Sequence, residues 1–371
     1  MHLQRLANAV INKLESKRRP ATPLSLPTYV DVVLTKHCNL ACRFCNDYET
    51  DGAQNQSLPA FERIAAKLLP TAKQLSICSG GEPYLHRHLL DILRVARSYG
   101  VRVWLLSNGM LCDEARLRAI VEENLVTEHG FSVDGIEAAT VEAIRINARL
   151  PVILANIDTL LRLRRDAGAG LPRVVIRYAV MRSNLAELPA AVTYWGERGI
   201  DRIEVNYLSL CNDIDRDESL YFHQERMVEV FDRARAEAAG FDQLTLKLPP
   251  TVAAEQDAAS HPRPCMDPWK FVYIDTNGDV FPCYHSWSAV RMGNLLDAGA
   301  SFAKIWRSRP YAALRRSVND DAVAKHHPFC ARCEARFGLG TLAAHLGSET
   351  WFEGMGLAGE ELADARQKRK R

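Results

Sequence analysis

From residue 29 to residue 208 the chain alternates short β-rich runs with helical stretches, and this alternation limits the possible folds more than any other feature. The runs 29–34, 75–78, 101–106, 128–133, 174–180 and 203–208 are short, mostly apolar, and read as strands. Between them, 60–69, 89–98, 114–123, 152–165 and 186–198 place apolar residues at helical spacing. Strands joined through helices pair in parallel, because a crossover rather than a tight hairpin links them. Six such units fall short of a closed eight-unit barrel. The expected fold class is therefore α/β, a partial (β/α)6 TIM-like barrel with its chemistry on the loops that follow the strands.

Past the barrel the periodicity changes. A helix is expected over 224–239 and a linker over 249–264. Two short strands, 271–275 and 280–283, flank Thr276-Asn277-Gly278-Asp279, where Asn-Gly supplies the positive φ angles of a tight hairpin. Helices follow near 302–308 and 311–318. The division expected is an N-terminal helical extension 1–27, a barrel 28–240, a smaller domain 241–335 and a helical, basic tail 336–371. Within the extension, Leu3, Leu6, Val10, Ile11 and Leu14 recur at helical spacing, which suggests an amphipathic helix docking on the body or on a second subunit.

Composition narrows the setting. With 47 Lys and Arg against 45 Asp and Glu, a net charge of +2 sets up no field that would draw nucleic acid or an anionic membrane. The basic stretches 366–371 and 17–19 read as solvated ends. No run approaches the ~20 apolar residues of a membrane span, and Asn8, Asn12 and Lys13 interrupt any signal-peptide core. A cytoplasmic protein is expected. In a reducing compartment the 10 cysteines do not form a disulfide framework, so clustered ones point to metal or catalysis. Cys78, Cys112 and Cys211 stand apart; Cys78 lies in a predicted strand and reads as core, and Cys112 follows the third strand's loop with no partner visible.

The other seven fall in two groups. Cys38, Cys42 and Cys45 lie within eight positions on the loop after the first strand, enough to wrap one face of an iron–sulfur cluster and leave one iron open. Cys265 and Cys283 flank the hairpin, and Cys330-Ala331-Arg332-Cys333 follows it. Zinc remains an alternative at both sites, because separated cysteine pairs also suit it. Three further motifs follow predicted strands: Ser79-Gly80-Gly81-Glu82-Pro83, Ser107-Asn108-Gly109 and Ser132-Val133-Asp134-Gly135. Each alone is an ordinary turn. Two glycines let a backbone approach a ligand closely, and Glu82 could hold a cationic amine.

Cys38-x3-Cys42-x2-Cys45, opened by Cys-Asn-Leu and with Phe44 before its last cysteine, resembles the signature of the radical S-adenosylmethionine (SAM) superfamily. The three later motifs, in order, resemble the family's further SAM-binding elements. The resemblance implies a SAM-binding [4Fe–4S] cluster on Cys38, Cys42 and Cys45. It also implies SAM contacts from Phe44, Gly80, Gly81, Glu82, Pro83, Ser107, Asn108, Ser132 and Arg145. Such enzymes cleave SAM reductively to a 5′-deoxyadenosyl radical. The C-terminal cysteines, with Cys265-x2-Pro268-Trp269, the Gly278 turn, Gly293-Asn294 and Ile305-Trp306, resemble the twitch form of the SPASM extension. That implies an auxiliary [4Fe–4S] cluster on Cys265, Cys283, Cys330 and Cys333.

Four auxiliary cysteines resemble the radical SAM aminocyclitol and sugar dehydrogenases. The function expected is an oxidoreductase that dehydrogenates a small polar molecule, with the auxiliary cluster as electron acceptor. The alternative is a peptide-modifying enzyme, crosslinking or epimerising a ribosomal peptide, or a redox-neutral sugar epimerase. Cys211, Tyr207, Asp267 and His285 are the candidates for hydrogen return or for a general base. His37 and Arg43 read as solvated. A flavodoxin-like or ferredoxin-like electron donor is implied by the family.

Overall fold

A computed structural model of the chain describes residues 2–45, 54–208, 216–251, 263–283, 290–320, 330 and 333. After helix α1 (His2–Arg18) come strand β1 (Tyr29–Val32), a two-residue strand β2 (Ala41–Cys42) and helix α2 (Leu58–Leu68). Next are β3 (Gln74–Ile77), α3 (Leu89–Ser98), β4 (Arg102–Ser107), α4 (Glu114–Glu122), β5 (Glu128–Ser132) and α5 (Ala138–Ile144). The two-residue β6 (Arg145–Ile146) precedes α6 (Leu150–Asp166), β7 (Arg173–Val180), α7 (Leu188–Glu197), β8 (Arg202–Tyr207), α8 (Gln224–Ala238) and β9 (Thr245–Lys247). The last part holds the short helix Asp267–Lys270, then β10 (Phe271–Ile274), β11 (Asp279–Phe281), β12 (Gly293–Asn294) and helices Phe302–Trp306 and Arg309–Ser317.

Local chemistry sets several boundaries. Ser57 caps α2 by accepting from the Ala60 amide, with Pro59 in the first turn. Asp113 caps α4 through the Arg116 amide. The strands alternate: Val30 and Val32, Leu75 and Ile77, and Val103 and Leu105 are buried beneath the helices. Asp31, Ser76 and Trp104 occupy the alternate positions and so face the other side of the sheet.

All the expected strands form within two residues of their predicted ends, and they make one sheet in the order β12-β11-β10-β1-β3-β4-β5-β7-β8-β9. From β10 to β9 every neighbouring pair is parallel. The C-terminal hairpin thus extends the barrel sheet, with β10 in register alongside β1 from Tyr29↔Phe271 to Val32↔Ile274. Pairing on both edges leaves β1 no open hydrogen-bonding face. The turn after β10 has positive φ at Gly278 (83°) but not at Asn277. Instead, the Asp275 carboxylate accepts from the amides of Asn277 and Asp279 and braces the turn from outside.

Helix α1 crosses the N-terminal ends of the strands. Asn8 Nδ2 donates to the carbonyls of Leu26 and Thr71, and Asn12 Nδ2 donates to those of Leu26 and Trp269. The segment after it receives hydrogen bonds from the C-terminal part: Trp269 Nε1 to Pro20, Trp306 Nε1 to Ser25 and Arg315 Nη1 to Ala21. Residues 2–28 therefore tie the barrel to the C-terminal cysteine region.

Candidate active site

The loops after β1, β3, β4 and β5 converge at the C-terminal end of the sheet. The cysteine loop is built on backbone contact. Thr35 carbonyl accepts from the Gly81 amide at 2.7 Å, and His37 carbonyl accepts from the Glu82 amide at 2.8 Å. A Cβ on Gly81 would stand 1.9 Å from the His37 carbonyl oxygen. One on Gly80 (φ 84°) would stand 2.4 Å from Val33 Cγ1. Both glycines are thus needed to seat the cysteine loop, a role distinct from the ligand approach read in the sequence.

Glu82 turns inward and is buried. Its Oε1 accepts from Ser107 Oγ (2.8 Å) and the Tyr84 amide (3.1 Å), and its Oε2 accepts from the Asn108 amide (2.7 Å). Burial pushes the carboxyl up to about 6, against the pull of these hydrogen bonds and of Arg116. Glu82 therefore joins the second loop to the third. Pro83 begins the single 3-10 turn that follows it. Asn108 carries the link back to the cysteines: its Nδ2 donates to Asn39 Oδ1 at 2.8 Å and stands 3.8 Å from Cys38 Sγ. Asn39 is a contributor that sequence reasoning did not single out.

On the other side of the loop, β2 and β6 pair Cys42 with Arg145. Arg145 Nη1 lies 3.7 Å from Cys42 Sγ, and its guanidinium sits 5.3 Å from the centroid of the Phe44 ring. Its Nε forms an ion pair of 2.7 Å with Asp134, whose side chain is fully buried. Burial works against the Arg145 charge, but Asp134 and Cys42 outweigh it and hold the guanidinium's pKa above the ordinary value. Asp134 also accepts from the Ala179 amide, and its own carbonyl accepts from Asn184 Nδ2. Sequence reading treated Asp134-Gly135 as a turn; in the structure Asp134 anchors the arginine. Burial raises the Cys42 thiol despite Arg145. Phe44 packs among Ile144, Met181 and Leu208. His37 and Arg43 are exposed, as expected.

Inside the sheet, Ser132, Arg177, Glu204 and Lys247 form one register row across β5, β7, β8 and β9. Arg177 and Glu204 are ion-paired at 3.3 Å. Beneath them Arg202 grips Glu128 bidentately, at 3.0 and 2.6 Å. That hydrogen bonding holds the Glu128 carboxyl below its usual range. Cys78 lies one residue beyond β3 and is half-buried. Its thiol feels Asp31, Arg177 and Glu204, so it faces this polar interior and not the apolar core assumed from the sequence. Cys112 is buried in the core, 3.4 Å from Ser107 Oγ.

The C-terminal cysteines assemble at the opposite end of the sheet, beside the start of β10. The Cys265 thiol is raised by burial, then by the charges of Asp267, Cys283 and Cys333, which places these groups together. Asn319 clamps the Cys265 backbone, accepting from its amide at 2.8 Å and donating to its carbonyl at 2.9 Å. The Cys333 amide reaches the Cys330 carbonyl at 3.4 Å. Beside them Arg315 lies over the rings of Trp306 and Tyr311, at 4.3 and 4.7 Å. Asp267, pushed up to about 6 by burial, belongs to this group and not to the loops over the barrel. Tyr207 donates its hydroxyl to the Pro250 carbonyl at 2.5 Å. Cys211 and His285 lie outside the described residues.

Residues 32–194 match the radical SAM superfamily, and residues 265–334 match the iron–sulfur cluster-binding SPASM domain. The chain carries a radical SAM domain followed by a SPASM iron–sulfur domain. It is a radical SAM enzyme whose cofactors are SAM, a [4Fe–4S] cluster and auxiliary iron–sulfur. It is similar to the PqqA peptide cyclase of Gluconobacter oxydans, 26% identical over 338 residues covering 86% of each chain. It is also similar to a tungsten-containing aldehyde ferredoxin oxidoreductase cofactor-modifying protein of Pyrococcus furiosus, 23% identical over 327 residues covering 83% of this chain and 87% of that one. Its fold is that of Streptococcus suis SuiB bound to precursor peptide SuiA. The TM-score there is 0.66 at 14% identity, covering 89% of this chain and 75% of that one. Among the described residues no helix is long and apolar enough to cross a membrane.

The residues present fit these groups. Amide and guanidinium donors, from Asn108 and Arg145, face two of the first three cysteine sulfurs. Cys283 and Cys333 both lie within electrostatic reach of Cys265. Among the described residues no three His, Cys, Asp or Glu side chains converge around a single ion, so the fit rests on these loop contacts.

Proposed function

We propose that the enzyme modifies a peptide, by radical crosslinking or epimerisation of a residue. The observation that carries this reading is the alignment with PqqA peptide cyclase across 86% of both chains. The SuiB structure, which has the same fold, holds its precursor peptide, and this supports the reading. Cys38, Cys42 and Cys45 would hold the SAM-binding cluster, and Cys265, Cys283, Cys330 and Cys333 an auxiliary one. Bound together, SAM and the reduced cluster supply hydrogen-atom abstraction.

The chain's own residues orient that chemistry. Arg145, fixed by Asp134 and paired with Cys42, and Ser132 at the end of β5 present polar groups for the SAM carboxylate. Glu82 and Asn108 hold the second and third loops against the cysteine loop. Arg177 and Glu204 line the interior below and offer one donor and one acceptor to a polar substrate group. Dehydrogenation of a small polar molecule is the second reading. The observation favouring it is the four C-terminal cysteines, a number suited to one fully ligated electron-accepting cluster.

Deuterium transfer separates the two. Reconstituted enzyme, SAM and reductant are incubated with a deuterated extract of the source cells, and deuterium in 5′-deoxyadenosine is read by mass spectrometry. Transfer that disappears when the extract is first digested with protease supports a peptide substrate. Transfer that survives digestion establishes a small molecule and removes the peptide reading.

A further inference from the structure

Helix α1 is amphipathic in reverse. Its buried residues are Asn8, Ala9, Asn12 and Ser16, and its five large apolar residues face outward. Leu3 is 81% exposed, Leu6 49%, Val10 61%, Ile11 39% and Leu14 52%. At 100° per residue Leu3, Leu6, Val10 and Leu14 form one stripe diametrically opposite Asn12. The orientation is fixed by side-chain hydrogen bonds to backbone carbonyls. Asn8 and Asn12 make those described above, and Arg5 donates to the carbonyls of Gly100, Tyr99 and Leu69. The helix cannot roll its apolar stripe inward without losing all of them.

We propose that this face pairs with the same face of a second copy of the chain, antiparallel about a two-fold axis at Val10. Charge selects the direction. Lys13, Lys17 and Arg18 flank the C-terminal half of the stripe, while His2 and Gln4 flank the other half. Glu15 does not face the stripe, because its carboxylate turns to the docked side and accepts from the amides of Leu24 and Ser25. A parallel pair would bring the two basic ends together, whereas the antiparallel pair separates them. In the register centred on Val10, Leu6 meets Leu14 of the second copy, and Leu3 meets the aliphatic stem of Lys17.

The five side chains expose about 500 Å² per chain, so pairing buries at most about 1,000 Å² in all, the size of a weak, reversible interface. The surface lies at the N-terminal ends of the strands. Association there leaves the loops at the opposite end open to substrate.

Sedimentation velocity on the anaerobically reconstituted enzyme tests this. The wild type should sediment as a species of twice 41.6 kDa in the micromolar range. Leu6→Glu places a charge at two points of each dimer and should raise the dissociation constant by at least about 100-fold. Circular dichroism and SAM cleavage should be unchanged, since Leu6 touches neither the fold's interior nor the site. Leu6→Glu/Leu14→Lys puts opposite charges face to face and should regain dimer, whereas Leu6→Glu/Leu14→Glu should not. A wild type that stays at 41.6 kDa throughout, or a Leu6→Glu variant that stays dimeric, overturns the proposal. Equal behaviour of the two double variants overturns the antiparallel register.

Discussion

Asp134→Ala removes the partner of a cation that the fold has already taken out of water. The Asp134 side chain is fully buried and that of Arg145 is 10% exposed, with 2.7 Å between the charged atoms. Breaking such a pair from one side costs about 3–5 kcal/mol, because the remaining charge stays buried. The Ala179 amide also loses its acceptor, a further ~1 kcal/mol. For roughly 300 cooperatively ordered residues each kcal/mol lowers the melting temperature by about 1.6 °C, so a fall of about 5–10 °C is expected. Asp134→Asn keeps an oxygen for Ala179 but drops the charge, and should fall between wild type and Asp134→Ala. Asp134→Leu/Arg145→Met removes both charges and should be more stable than Asp134→Ala alone. The assay is thermal unfolding by near-UV circular dichroism, run beside SAM affinity. SAM affinity should drop in all three variants, because Arg145 is freed or removed. The reasoning fails if Asp134→Ala melts within about 1 °C of wild type, or if the double variant is the less stable.

Three further outcomes are expected. Gly81→Ala should displace the cysteine loop through the clash with the His37 carbonyl, so iron falls to about four per chain with far-UV circular dichroism unchanged. Glu82→Gln has one acceptor oxygen fewer whichever way its amide turns, leaving a backbone amide of Tyr84 or Asn108 unmet; chemical denaturation should show a loss of about 1–3 kcal/mol. Buried His129, bonded to Tyr84 at 2.8 Å, is held by burial at about 3, well below 6.5. The unfolded chain therefore takes up its proton first as pH falls: the contribution of His129 is complete above pH 6.5 and is lost between 6.5 and about 3. Denaturation at pH 7 and pH 5 should show a loss of up to ~1.4 kcal/mol per pH unit below 6.5, which His129→Gln removes.

The barrel strands were legible because each is a short, strand-length run bounded by helical stretches, most of them with apolar residues at alternate positions. β9 was not, since Thr245 and Lys247 are exposed and only Leu246 between them is apolar. The seven-residue α5 is too short to show periodicity. For α1 the apolar spacing marked a helix but could not say which face docks. Asparagine-to-carbonyl hydrogen bonds decide that here, and hydropathy does not register them. The cysteine clusters were visible as spacing. What positions them was less so: Glu82 braces the second loop against the third, and Asp134, which looked like a turn residue, anchors Arg145. In both cases a charged side chain acts across distant loops, a pairing no local pattern encodes.

The account rests on two separate cluster sites at opposite ends of the sheet, and metal content tests it most directly. Iron and sulfide are measured after anaerobic reconstitution of the wild type and of a Cys38→Ala/Cys42→Ala/Cys45→Ala variant. Two [4Fe–4S] sites predict about eight irons per chain in the wild type and about four in the variant. About four in the wild type and none in the variant would contradict it, and would leave Cys265, Cys283, Cys330 and Cys333 holding something other than iron–sulfur.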